Sequence, residues 1–292
     1  MTDNKIAPRH LRTLLGDHPS TQALKGGQVT SDRVVLDYAA GYKPTNRGFK
    51  PMVREQAFDV SELAIVTHLM AKEHQKPIVL LPAVVMGRFQ HVYALYNAAK
   101  GNMTPADLPG KRVGIRSFTT TTGAWIRGIL ANDYGVDLDS IEWVTFEDPH
   151  VAEYRDTTAR APADKNILQM LLDGEVDAVL GETSSDPRLK SLWPDPEAEA
   201  MAWYRLRGIV PVNHFVVVTQ ALHDSDPDSV REVYRLLQQS RSLAPPAASG
   251  LDFCPFGREA IRPSLELIFE YAAQQQLISR RFSVDELFSD LV

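Results

Sequence analysis

The stretch Gly110-Lys-Arg-Val-Gly-Ile-Arg-Ser-Phe-Thr-Thr-Thr-Thr-Gly-Ala-Trp125 decides the fold. A short apolar run at Arg112–Arg116 passes without a break into hydroxyl-bearing residues and then into a helical pattern. Strand, tight turn and helix start in that order make one α/β unit. The first amides of such a helix have no partner within it. With the helix dipole they form a set of donors for a carboxylate or phosphate. Ser117, Thr119, Thr120, Thr121 and Thr122 would add hydroxyls, and Arg116 a planar, permanently charged fork. The plainer reading is that Thr119 or Thr120 only caps the helix; the cation beside the cap favours a ligand.

Working outward, short β-branched runs alternate with helical patterns along the whole chain. Strands are expected near Leu11–Leu15, Arg33–Tyr38, Phe58–Val60, Ile78–Val85, Glu142–Thr145, Ala178–Leu180 and Phe215–Val218. Helices are expected over Ser61–Glu73, Thr121–Tyr134, Lys165–Leu172, Pro227–Ser240 and Ser264–Gln276. Ser61 and Ser264 read as caps, and Gly135 and Gly174 as stops. Chain crossings at Tyr96–Gly101 and Gly208–Asn213 divide the chain into one lobe of residues 1–98 plus 213–292 and an inserted lobe of 99–212. The fold class is therefore α/β in two lobes, each a mostly parallel sheet flanked by helices. The ligand cleft is expected between the lobes, beyond the carboxyl ends of the strands. Asp156–Lys165 and the proline-rich Leu243–Ala248 read as mobile loops.

A chain of 292 residues with 31 Lys and Arg, 37 Asp and Glu and a formal charge of -6 has no basic face for a nucleic acid. The apolar runs are too short to span a bilayer, and the first ten residues hold no leader-like apolar core, so a cytoplasmic protein is expected. Cys254 is the only cysteine, which excludes an internal disulfide; its neighbours offer no activating base, so it reads as buried filler.

Four groups at strand ends carry the histidines and arginines. Gly16-Asp17-His18 either aims Asp17 and His18 at the cleft or forms a simple turn. Gly87-Arg-Phe-Gln-His91 would put Arg88 and His91 on the cleft floor, a cation for a carboxylate and an imidazole for a proton; a surface hairpin is the alternative. Phe146-Glu-Asp-Pro-His-Val-Ala-Glu-Tyr-Arg155 reads as an exposed turn before a short helix with His150 and Tyr154 one turn apart. Pro211-Val-Asn-His214 would bring Asn213 and His214 to the return crossing, with His214 facing His91 or held by backbone. Arg47, in the polar loop Tyr42–Lys50, either meets an anion or is basic surface. His68 reads as a core histidine, and Glu62 as helix capping beside Ser61. His91, His150 and His214 with Glu147 or Asp148 lack the spacing of a known metal motif, so no metal site is assigned, although a divalent ion is left open. Neither a phosphate-binding glycine loop nor a Gly-x-Ser-x-Gly elbow is present.

With those residues quoted, Lys50-Pro-Met-Val-Arg-Glu55, Phe58-Asp-Val-Ser-Glu62, Leu80–His91, Val144–Arg155 and Val212-Asn-His214 resemble the 4,5-dihydroxyphthalate decarboxylase family over residues 40–240. The resemblance implies a type II periplasmic-binding-protein fold and a carboxy-lyase without an organic cofactor. Its substrate would be a small dihydroxylated aromatic dicarboxylate, converted to protocatechuate and carbon dioxide. Such a reaction needs cations for carboxylates, a base for the phenol and an acid at the ring carbon. Arg88, Arg116 and Thr119–Thr122 are expected to hold carboxylates, His150 or His91 to deliver the proton, and His214 or Glu147 to handle the phenol. The alternative function is a binding or sensing protein of the same fold that closes on an aromatic carboxylate without chemistry. Whether copies associate as a homo-oligomer is left open.

Overall fold

The computed structural model describes residues 7–292; the first six residues of the segment read for a leader lie outside them. In chain order the strands are β1 (Arg9–Leu14), β2 (Val34–Tyr38), β3 (Val60–Ala64), β4 (Ile78–Gly87), β5 (Ala94–Asn97), β6 (Arg112–Ile115), β7 (Glu142–Thr145), β8 (Ala159–Arg160), β9 (Ala178–Leu180), β10 (Leu189–Ser191) and β11 (Val212–Thr219). The α-helices are α1 (Gln22–Lys25), α2 (Phe49–Glu55), α3 (Ile65–Glu73), α4 (Thr121–Tyr134), α5 (Ile167–Asp173), α6 (Pro196–Arg207), α7 (Gln220–Ser225), α8 (Pro227–Ser242), α9 (Arg258–Gln274) and α10 (Val284–Leu287). Two compact units result. Unit 1 runs to Gly87 and includes Val212–Glu266 and Phe282–Val292; unit 2 is Arg88–Pro211 with Leu267–Arg281.

The first crossing therefore falls about ten residues earlier than expected. The reason is β5, whose four buried residues pair with β9 and β10 in the sheet of unit 2. The second half of α9 also joins unit 2, because Tyr271 lies against α4 and its ring packs edge-on to Trp125 at 5.8 Å.

In unit 1 the sheet order is β2-β1-β3-β11-β4. β1 is parallel to β2 and β3, while β11 runs antiparallel to β3 and β4. Helix α8 covers one face, its Val230, Val233, Leu236 and Leu237 spaced to share a helical stripe. They pack with Leu11, Val60, Leu81 and Val216 from the sheet. Each such side chain contributes about 1.5–3 kcal/mol on burial. In unit 2 the order is β10-β5-β9-β6-β7-β8, with β9, β6, β7 and β8 mutually parallel, β5 antiparallel to β9, and β10 antiparallel to β5. Leu95, Val144, Val179, Met170 and Leu171 fill its core with α5.

Four local expectations are corrected. Ser61 caps nothing: it lies in β3, a strand buried at every position, and the helix starts four residues later. Ser264 lies inside α9, which begins at Arg258 and carries Pro263 in its second turn; its hydroxyl accepts from Val212 N at 3.1 Å. The segment after Tyr154 contains β8 rather than only a loop, and Val151–Glu153 forms a turn where a short helix was expected.

Gly128 on α4 is where the α9 ring comes closest. A methyl added there would overlap Tyr271. Gly128→Ala should therefore cost about 1–3 kcal/mol by overpacking, despite the better helix propensity of alanine. Urea unfolding of the variant checks this, and an unchanged or raised midpoint would show that the ring has room to move.

Candidate functional site

In unit 1 the site is built around one acid. Glu62 on β3 is 1% exposed. Its Oε2 accepts from Gly16 N at 2.7 Å and its carboxylate lies 3.0 Å from His18 Nε2. Its Oε1 lies 2.6 Å from His214 Nδ1. The sheet sets up this convergence. β3 pairs with β11 so that Ala64 faces His214 and Glu62 faces Val216, which makes Glu62 and His214 diagonal neighbours on one face. Gly16 and His18 follow the carboxyl end of β1, parallel to β3. A side chain at position 16 would displace this cluster, since a Cβ there would stand 2.6 Å from His18 Nε2, 2.8 Å from Glu62 Oε2 and 2.9 Å from Thr45 Oγ1. The Phe49 ring meets His214 edge-on at 5.1 Å.

Burial by itself pushes the Glu62 carboxyl up. The hydrogen bonds and charges of His18 and His214 outweigh it and hold the group well below the usual carboxylate range. An ionised Glu62 requires a proton on each imidazole nitrogen that faces it. The tautomers follow from that: His214 carries its proton on Nδ1 and His18 on Nε2. A carboxylate that orients an imidazole and stabilises its cation is the arrangement that makes histidine a working acid or base. His18 also borders a unit 1 cavity of about 550 Å³ with Pro245, Pro246, Phe253 and Cys254. Burial pushes the Cys254 thiol up, in keeping with filler rather than a nucleophile.

In unit 2 the cations gather at the carboxyl ends of β6, β7 and β9. Arg88 lies 3.9 Å over the Tyr93 ring, bonds its hydroxyl at 2.9 Å and donates to Thr122 Oγ1 at 3.1 Å. Arg116 Nε stands 3.6 Å from Glu147 Oε2, with the acid half exposed. Glu182, after β9, interacts with both arginines and with Glu147; burial raises its carboxyl and the Glu147 charge adds to this, against Arg116 and Arg88.

The expected residues divide accordingly. His18, His214, Arg88, Arg116, Thr122 and Glu147 lie in these two clusters. His150 is buried after β7 and Asn213 is buried in β11. Ser117 and Thr119 are buried with their hydroxyls 3.2 Å apart, and Thr121 is buried too, so these face inward rather than toward an open cleft. Asp17 points to Lys25 and Lys43, whose ammonium groups hold its carboxyl down. Arg47 is exposed on the 45–48 turn. Tyr154 is partly buried, and its hydroxyl interacts with Arg127. His91 does not lie on an open floor. It is 1% exposed, edge-on to Trp193 at 4.8 Å and near Trp203 at 6.4 Å, and burial pushes it down to about 4, so it stays neutral. Among the described residues no three His, Cys, Asp or Glu side chains form a metal-ligand set, and no helix is long and apolar enough to cross a membrane. Glu62, Gly16 and Glu182 were missed. An acid within Val60-Ser-Glu-Leu-Ala64 becomes a signal once that run is read as a buried strand, because a buried acid must be paired.

The fold is that of the type II periplasmic binding proteins. The chain matches the alkanesulfonate-binding protein SsuA from Xanthomonas axonopodis pv. citri bound to MOPS with a TM-score of 0.56, at 14% identity, covering 97% of this chain and 99% of that one. For the periplasmic aliphatic sulphonate binding protein SsuA from Escherichia coli the TM-score is 0.54, at 14% identity, covering 96% and 97%. No family model matches the chain. Among curated proteins it is similar to the 4,5-dihydroxyphthalate decarboxylase of Comamonas testosteroni, 27% identical over 250 residues, 80% of this chain and 75% of the relative. It is similar also to the 4,5-dihydroxyphthalate decarboxylase of Pseudomonas putida, 25% identical over 212 residues, 67% and 81%. Both carry the family name reached from the sequence, and they support an enzyme of the decarboxylase kind.

Removing the Glu62 charge breaks a buried pair and strands two imidazoles. Glu62→Gln should cost about 3–5 kcal/mol at neutral pH. Because the folded carboxyl lies below its ordinary value of 4.5, the stability it adds is complete above that pH and lost as pH falls below it. Urea unfolding from pH 7 to pH 3 should show the gap between wild type and variant holding down to about pH 4.5 and narrowing below it.

Proposed function

We propose that the protein removes one carboxylate from a dihydroxylated aromatic dicarboxylate, 4,5-dihydroxyphthalate, giving protocatechuate and carbon dioxide. The observation that carries this reading is the pair of imidazoles sharing one buried carboxylate, His18–Glu62–His214. Capturing an anion needs cations and amides; two histidines tuned by a desolvated glutamate serve proton transfer.

Each carboxylate of this substrate stands para to a hydroxyl. Withdrawing a proton from that hydroxyl pushes electron density onto the ring carbon bearing the carboxylate. That carbon takes a proton, the bond to the carboxylate breaks with its electrons returning to the ring, and carbon dioxide leaves. The phenol then recovers its proton, so the sum is one proton taken up and one carbon dioxide released. In this reading His214, oriented by Glu62, is the base for the phenol and His18 the acid for the ring carbon, with His150 as the competing acid. Arg88 and Arg116 hold the carboxylate that is kept, and their charge suits a doubly negative substrate. A small aromatic dicarboxylate is the partner, and the cytoplasm the proposed setting.

Carbon dioxide release from 4,5-dihydroxyphthalate tests this directly. His214→Gln and Glu62→Gln should each lower kcat by about 100-fold or more, the scale of general acid–base catalysis, while binding of unreactive phthalate persists. Arg116→Gln should act mainly on KM. Comparing His18→Gln with His150→Gln tells which imidazole delivers the proton. Tight binding of the substrate with no carbon dioxide formed would replace the reading with that of a binding protein.

A further inference from the structure

Arg127, on the second turn of α4, is fully buried yet sits in no ion pair. Helical side chains lean toward the N-terminus, so an arginine here reaches back over the first turn. Its Nη2 donates to Phe118 O at 2.7 Å and its guanidinium lies 3.8 Å over the Phe118 ring. Its Nε donates to Gln275 Oε1 at 2.8 Å, and Gln275 Nε2 donates to Ala124 O at 2.9 Å. The head is thus fastened to the turn that joins Arg116 to α4 at Phe118 and, through Gln275, to the first turn of α4 at Ala124. Its remaining nitrogen, Nη1, has no hydrogen-bond partner, and neither does the buried Thr120 Oγ1 at the helix N-cap. Both atoms converge on Gly123: a Cβ there would stand 2.8 Å from Thr120 Oγ1 and 3.0 Å from Arg127 Nη1.

A buried guanidinium without a carboxylate costs several kcal/mol, more than a neutral brace of the same shape. Burial pushes Arg127 down to about 9, which leaves it charged at neutral pH. Asp156 and the Tyr154 phenol are the groups that favour its charge, and Asp156 is the one carboxylate between them. The charge is therefore retained close behind the first amides of α4, where it adds to the helix dipole and Arg116.

We infer that Arg127 is a positioning residue for carboxylate binding: from the interior of unit 2 it fixes the 116–122 turn and makes the N-terminus of α4 a stronger anion site. This rests on the proposed role of that turn in holding a carboxylate.

Calorimetric titration of the full chain with phthalate tests it. Arg127→Met should weaken phthalate binding about tenfold or more, the worth of one charge-assisted contact. Its thermal midpoint should be unchanged or raised, because an apolar side chain replaces a buried charge. Arg127→Lys, which keeps the charge, should recover part of the affinity. A merely structural arginine predicts the reverse, a lowered midpoint with affinity intact, and phthalate binding within twofold of wild type in Arg127→Met overturns the inference. Should that variant not fold, Gln275→Leu is read instead: weaker phthalate binding supports the inference and unaltered binding overturns it. Arg116→Gln separates the two ideas. If it binds phthalate as wild type does, or if wild type binds none, the carboxylate reading of the turn falls and the inference with it; if Arg116→Gln alone loses affinity, only the inference falls.

Discussion

A carboxylate cut off from water on a middle strand is the constraint that organises unit 1. Glu62 can remain charged at 1% exposure only if donors surround it, and it has three: an amide and an imidazole from the segment after β1 and an imidazole from β11. Each donor then constrains something else. The Gly16 amide must approach closely, so position 16 holds no side chain. His214 must lie diagonally across from Glu62, so β11 can occupy only one register against β3. A slip of one residue would turn His214 to the opposite face and leave a bare charge in the core. Packing alone would tolerate several apolar arrangements of this sheet; the charge admits one.

Unit 2 handles charge in the opposite way. Its guanidiniums at Arg88 and Arg127 are bound to neutral groups, namely a phenol, a threonine hydroxyl, a carbonyl and an amide. The acids near Arg116 are a half-exposed Glu147 and Glu182, whose carboxyl burial raises. Cations partnered by dipoles keep their attraction for an outside anion, whereas cations in tight ion pairs have already spent it.

Much of the fold was legible because its signals are local. Strand β6 and helix α4 were read with nearly the observed limits, since an apolar run, hydroxyl-bearing residues and a stop at Gly135 leave few alternatives. Helix α8 was legible from its apolar spacing. What failed depended on distant partners. Val60-Ser-Glu-Leu-Ala64 continues into Ile65-Val-Thr-His68, and a serine and a glutamate before an apolar run imitate a capped helix start. Only the pairing of both its edges, with β1 and β11, makes the first half a strand. Strand β5 is four residues, too short to show a period, and is defined by its neighbours β9 and β10. Helix α6 did carry its marks, Asp195-Pro196 at one end and Gly208 at the other, but lacks a strong apolar stripe and went unread.

The site follows the same logic one level up. Histidines and arginines at strand ends were recognisable as chemistry, but their pairing was not. His91 and His214 looked equivalent in sequence, each beside a crossing and each in polar company. One sits against two indoles and is neutral; the other shares a buried glutamate. The difference lies in a residue read as a cap. The fold is shared with sulfonate-binding proteins, and a fold does not by itself decide between capture and reaction. On the proposed reading, what turns capture into reaction is one ionised side chain placed where water cannot neutralise it, because that desolvated charge lets a neighbouring imidazole accept a proton and hold it while the ring carbon loses its carboxylate.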